Sequence, residues 1–136
     1  MSSFTEPLAV KQLDAKNWML LRRFTYFVGE EDSDYSITVK KGFIFDGGSI
    51  PQFAWSLVGS PMGKGGQVYC IHDALYRSEA LPRKEADRIM LEGLEIKGYG
   101  WMARNTIYYA VRLFGNWSNH TPEGITGARK FVKISK

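Results

Sequence analysis

The chemistry in this chain gathers around His72, Asp73, Tyr76 and Asp87. In the run Cys70-Ile71-His72-Asp73-Ala74-Leu75-Tyr76 an imidazole and a phenol stand four residues apart, and a carboxylate follows fifteen residues after the histidine. A carboxylate on one imidazole nitrogen fixes the tautomer and raises the basicity of the other nitrogen. That is what a general base needs, so His72, Asp87 and Tyr76 are the candidate catalytic residues. Asp73 points about a hundred degrees around a helix from its neighbour and is a candidate metal ligand. Upstream, Asp46-Gly47-Gly48-Ser49-Ile50-Pro51 offers a second carboxylate. Gly47 and Gly48 leave the backbone free to turn carbonyls toward an oxygen-loving cation such as calcium. The plainer reading of the same stretch is a tight turn followed by a helix cap.

Two helices must position these groups. Val68, Ile71 and Leu75 recur at helical spacing and predict a helix over 66–78, with His72 and Tyr76 on one flank. Ser78-Glu79-Ala80-Leu81-Pro82 breaks the pattern, and Pro82 suits the first turn of a second helix over 82–97. Ala86, Ile89, Met90, Gly93 and Leu94 give that helix its apolar face, with Asp87 at the edge and Gly98-Tyr99-Gly100 as its stop. His72 lies about as far before the turn as Asp87 lies after it. In an antiparallel pair the two side chains should meet, within about 6 Å of each other. A third helix is expected over 101–114, apolar on most sides, with Arg104, Tyr108 and Arg112 as its polar stripe and Gly115 as its stop.

The first third of the chain has period two instead. Leu8-Ala9-Val10 reads as an edge strand, Trp18 to Val28 as one strand, and Tyr35-Ser36-Ile37-Thr38-Val39-Lys40 as the clearest alternation in the sequence. The acidic link Gly29 to Asp34 reads as a solvated hairpin tip, since it lacks the spacing of a calcium loop. Phe43 to Phe45 continues extended, a short helix is expected from Ser49 or Ile50 to about Val58, and the glycine-rich run from Gly59 to Gly66 is a loop. Lys64 in that loop matches no phosphate-binding spacing. The tail, with Arg129, Lys130, Lys133 and Lys136 around Phe131, Val132 and Ile134, reads as a final strand at a sheet edge. The expectation is an α+β fold in a single domain, residues 1–136: an N-terminal antiparallel sheet from residues 7 to 45, a three-helix region, and a C-terminal edge strand.

Composition bounds the function. A length of 136 residues with 44% hydrophobic content sustains one real core. Net charge +4 permits an anionic partner without requiring one. The single cysteine, Cys70, excludes an intramolecular disulfide framework, fits a reducing compartment and reads as a small buried apolar residue. The longest apolar runs fall far short of the ~20 residues of a membrane span. The first residues lack the basic and apolar regions of a signal peptide.

The chain resembles a known group. Phe45-Asp46-Gly47-Gly48-Ser49-Ile50-Pro51, His72-Asp73 with Tyr76, Lys84-Glu85-Ala86-Asp87 and Ala110-Val111-Arg112-Leu113-Phe114-Gly115 occur in order. They are similar to a family of short uncharacterised proteins of tailed bacteriophages and prophages, over roughly residues 40 to 115. The resemblance implies phage origin and a place in the host cytoplasm or the virion; it implies no activity. At the level of the site, His72-Asp73-x-x-Tyr76 with the later Asp87 and an upstream glycine turn resembles secretory phospholipases and the phospholipase domain of parvovirus capsids. That resemblance implies His72 as the base that activates water, Asp73 as a calcium ligand, Asp87 and Tyr76 as hydrogen-bonding supports, and Gly47 and Gly48 in the ion loop.

Three functions follow. The first is a phage hydrolase with a His/Asp centre, calcium-dependent and acting on a lipid ester. The second is a non-catalytic structural or accessory component of a phage particle (head, neck or tail), touching other virion proteins, in which His72, Asp73 and Asp87 form a buried network. The third is a small phage protein that binds a host factor or nucleic acid through Arg104, Arg112 and the basic tail; it ranks last, because sequence-independent nucleic-acid binding asks for a stronger basic patch. Geometry separates the first two. An enzyme needs the His72 ring open to a cleft with Asp87 on its far nitrogen, whereas a structural network is sealed from water and a particle component exposes aromatic surface.

Overall fold

The computed structural model describes residues 3–15, 17–45, 56, 65–114 and 121–136. Seven short strands precede and follow four described helices: β1 Ser3–Phe4, β2 Val10–Gln12, β3 Trp18–Leu20, β4 Phe24–Phe27, β5 Ser36–Val39, β6 Ile44–Phe45, α1 Gly66–Ser78, α2 Arg83–Ile96, α3 Trp101–Phe114, α4 Pro122–Arg129 and β7 Val132–Ser135. This is the α+β class that the periodicities predict. The strands form two antiparallel sheets, one ordered β1-β4-β5-β7 and one β2-β3-β6.

Several expectations need correction. The run from Trp18 to Val28 is two strands in different sheets. It reads as one because Trp18, Leu20, Phe24, Tyr26 and Val28 are all buried, keeping period two across the break. Arg22 is the member of that series that is exposed, pairing with Glu6 at 2.8 Å where the chain leaves one sheet for the other. The sheet region begins earlier than residue 7, since Ser3–Phe4 pairs with Phe27 and Tyr26. A fourth helix, α4, follows the predicted three. Its glycines at 124 and 127 hide it, yet Thr121 caps it by accepting from the Gly124 N–H at 3.0 Å, and Pro122 opens it. The helix expected between residues 49 and 58, and the Asp46-Gly47-Gly48 turn, lie outside the described residues apart from Ser56, which is helical.

The tail strand is at the sheet edge as expected: β7 pairs with β5, with Ile134 opposite Ile37. Phe24, Tyr26, Ile37 and Val39 turn one face of this sheet inward. Against it lies α1, which also packs on α2, α4 and β6. Of its thirteen residues all but Arg77 are buried, so α1 is the central helix, and each polar side chain on it needs a partner. Leu75 and Ile37 have no exposed surface, a burial worth about 1.5–3 kcal/mol for each side chain. Glu79, in the left-handed region at φ 48°, ends α1, and Arg129 of α4 donates from Nε to the Ser78 carbonyl at 2.7 Å.

Candidate functional site

The antiparallel pairing of α1 and α2 sets the site. Pro82 precedes α2, and after the Glu79–Pro82 turn the second helix runs back along the first. Ile89, Met90 and Leu94 of α2 are buried. The same packing carries Asp87, at the edge of that face, to His72: Nε2 of the imidazole is 2.8 Å from Oδ1. Neither side chain has exposed surface.

The carboxylate is held from three elements. The Tyr76 hydroxyl, one turn along α1 from His72, donates to the same Oδ1. The two rings lie 4.1 Å apart, centroid to centroid. From α3, Arg112 donates to Oδ2 at 2.9 Å. Arg83 of α2 sits one turn before Asp87, with Nε 3.9 Å from Oδ2 and 3.4 Å from the Tyr76 oxygen. Its other end donates to the carbonyls of Val111 and Arg112 at 3.0 and 2.9 Å, satisfying the last turn of α3. Asp87 thus ties three helices at one point.

Electrostatics follow from these contacts. Burial pushes the Asp87 carboxyl up, but the hydrogen bonds from His72, Tyr76 and Arg112 outweigh it and hold the group below its ordinary value. An ionised carboxylate only accepts, so the His72 Nε2 carries the proton toward Asp87 and Nδ1 is left as the other ring nitrogen. Tyr76 is pushed well above its ordinary range, by burial first and then by donating to Asp87. Arg112 is raised chiefly by its bond to Asp87. Burial pushes the Cys70 thiol well up, which fits the small apolar core residue expected there and removes the thiolate a nucleophile would need.

The structure therefore unites His72, Tyr76 and Asp87. Asp73 is not among them. It is buried on another side of α1, with Oδ2 3.3 Å from Arg77 one turn on, and Arg77 also donates to the Ile44 carbonyl at 2.9 Å. The other proposed metal ligands, Asp46, Gly47 and Gly48, lie outside the described residues. Among the described residues no group of three His, Cys, Asp or Glu side chains converges as a metal centre. Sequence reasoning missed Arg83 and Arg112 as partners of Asp87. Both left a signal: Arg83 is four residues before Asp87 on one helix face, and Arg112 is a charge on a largely apolar helix.

A family model described as protein of unknown function (DUF1353) matches residues 18–111, a span that contains His72, Tyr76, Arg83 and Asp87. An uncharacterized protein of Sinorhizobium fredii (strain NBRC 101917 / NGR234), y4jT, is 28% identical over 122 residues, covering 88% of this chain and 36% of that protein. The chain thus spans about a third of the length of this relative. No solved structure matches the chain.

Proposed function

This chain belongs to the DUF1353 family of proteins of unknown function, and we propose that it is a non-catalytic accessory component of a bacteriophage or prophage particle that associates with a second copy of itself. The observation that carries this reading is the outer side of α3. At about 100° per residue Met102, Tyr109 and Leu113 form one stripe turned away from the buried Ile107, Ala110 and Val111, with Trp101 flanking it, and these four are between 61% and 76% exposed. At about 200 Å² per large side chain they present roughly 560 Å², at the upper end of what a typical monomer leaves bare in one patch and in the range where such a patch marks an interaction site. Self-pairing suits the spacing. About the helix midpoint Met102 mirrors Leu113 and both lie on the same stripe, so two antiparallel copies of α3 set Met102 against Leu113 at both ends of the contact. The helix has no acidic residue, and its two arginines turn inward, Arg112 to Asp87 and Arg104 to the Tyr99 carbonyl at 3.1 Å. The sealed state of His72 and Asp87 supports the same reading: the cluster serves as a clamp that fixes α3 on the helix pair.

The test has two readouts. Light scattering behind size exclusion should give twice the 15.5 kDa mass for the wild type and one copy for Met102→Glu with Leu113→Glu, both folded by circular dichroism. Density-purified particles from cells making the corresponding phage should contain the wild-type chain and lack the variant. A chain absent from particles, or monomeric at every concentration, overturns the proposal.

One observation favours a second reading. Asp87 accepting from both the His72 ring and the Tyr76 hydroxyl is the support pattern implied by the phospholipase resemblance, with calcium at Asp73 and a lipid ester as substrate. Its obstacles are the complete burial of the imidazole and the Arg77 cation on Asp73. Release of fatty acid from mixed micelles at millimolar calcium, abolished by Asp87→Asn, would establish it; no turnover by the wild type removes it.

A further inference from the structure

We infer that the outer face of the four-stranded sheet binds the phosphate backbone of double-stranded nucleic acid without reading its sequence. The inference rests on a different surface from the self-association proposed above. A groove of about 910 Å³ lies there, lined by Arg22, Arg23, Lys40, Lys41 and Lys133 with Glu6 as its carboxylate. Five cations against one acid give the groove a net +4, equal to the charge of the entire chain. The remainder of the molecule is therefore neutral on balance, and the basic character is concentrated in one place. Summed over the sequence, +4 is too mild to indicate a nucleic-acid surface; gathered into one groove it is a local field of the kind that attracts polyanions.

The fold does the gathering. In the β4–β5 hairpin Phe24 stands opposite Val39, so the next residues outward, Arg23 and Lys40, come to the same open end of the hairpin, each followed or preceded by a further cation. Like charges placed opposite each other cost stability, and only Arg22 is relieved, by Glu6 at 2.8 Å. Arg23, Lys40, Lys41 and Lys133 are exposed, and none of them has a carboxylate at ion-pair distance among the described residues. Across the strands the register sets Thr25 beside Thr38 and Thr38 beside Lys133, a row of hydroxyls leading to an ammonium. The Thr25 and Thr38 hydroxyls bond each other at 2.8 Å, which leaves one O–H of the pair beside the cations to donate to a phosphate oxygen.

Three features select the ligand. The floor strands β4 and β5 are already paired on both sides, so an acidic peptide could add its backbone only at the outer edges of β1 and β7 and not along the groove floor. The groove is concave, unlike the flat or convex face that meets a membrane. Its aromatic lining residue, Phe24, is buried, so there is no platform for stacking unpaired bases. What remains is repeated charge contact to a duplex backbone. Arg104 and Arg112, the arginines that sequence alone would nominate, are tied inward and take no part.

The experiment is fluorescence anisotropy with a labelled 24-base-pair duplex, titrated between about 50 and 200 mM KCl. Four cations without a carboxylate partner among the described residues predict a slope of log K against log salt of about −3 to −4. Arg23→Gln with Lys41→Gln should reduce that slope by about 2 and weaken binding at least tenfold at low salt. Lys84→Gln with Lys130→Gln removes the same charge from exposed positions outside the groove and should leave affinity within about twofold. Absence of duplex binding at 50 mM salt overturns the inference. So does equal weakening by the control pair, which would make the effect one of net charge. Binding to phosphatidylglycerol vesicles in place of the duplex, lost in the groove variant, overturns it in favour of a lipid surface.

Discussion

Replacing Asp87 tests whether one carboxylate fastens the helical layer. Its side chain is sealed from solvent and accepts from His72, Tyr76 and Arg112. Asp87→Ala leaves two buried donors, the imidazole N–H and the phenol, without an acceptor, at about 1–3 kcal/mol each. Arg112 is a third exposed at its side chain and can turn to water, so it adds little. The expected loss is about 3–5 kcal/mol, in line with breaking a buried ion pair from one side. For a chain of this length that is a fall in melting temperature of roughly 10–20 °C. Asp87→Asn keeps the shape and one acceptor oxygen but sets an amide N–H₂ against a donor; a smaller loss of about 1.5–3 kcal/mol is expected, and this variant should stay folded. Urea titration followed by circular dichroism at pH 7 measures both. If Asp87→Ala lies within about 1 kcal/mol of the wild type, the donors have other acceptors and the clamp argument fails.

How far the sequence discloses this structure depends on what each signal measures. Helical periodicity in α1 and α2 places His72 opposite Asp87, because antiparallel helices joined by a short turn leave few registers. The alternation in β5 is equally plain, since one face of that strand meets the core. The break at Leu21-Arg22-Arg23 is invisible to periodicity, as a chain can change sheets without changing which face is apolar. The short, glycine-bearing α4 is visible only through its Thr-Pro cap. Arg83 and Arg112 are legible as charges that need partners, but which carboxylate receives them depends on where α3 crosses, a long-range fact that no local pattern carries. The cationic groove is hidden for the same reason, its residues being spread from Arg22 to Lys133 and assembled by strand order alone. Sealing of the imidazole is tertiary too: His72 would look the same in sequence at the floor of an open cleft.

Acid should weaken the fold through Asp87. Its carboxyl is held low in the folded chain, so the stability it contributes is present above the unfolded value of about 4 and is lost as pH falls through the folded value. Urea midpoints measured from pH 7 downward should drop more steeply below about pH 4 in the wild type than in Asp87→Asn; parallel curves would refute this. The packing of α1 on α2 can be tested without touching a polar group. A Cβ built on Gly93 would lie 3.2 Å from Cγ2 of Val68 and 3.6 Å from its Cγ1. Val68 is buried and β-branched, so on a helix it has one strongly preferred rotamer and cannot swing aside. Gly93→Ala should therefore forfeit most of the ~1 kcal/mol that alanine gains over glycine in a helix, and Gly93→Val should destabilise by about 1–3 kcal/mol through overpacking. Combining Gly93→Val with Val68→Ala should recover at least 1 kcal/mol of that loss as a coupling energy, because the two residues contest one space. Val68 with Gly93 and His72 with Asp87 are two contacts of the same antiparallel pair of helices. A double-mutant cycle with no coupling would refute the contact between Val68 and Gly93. It would mean that the close approach of α1 and α2 at these two residues, on which the packing of the pair rests there, is not present in solution.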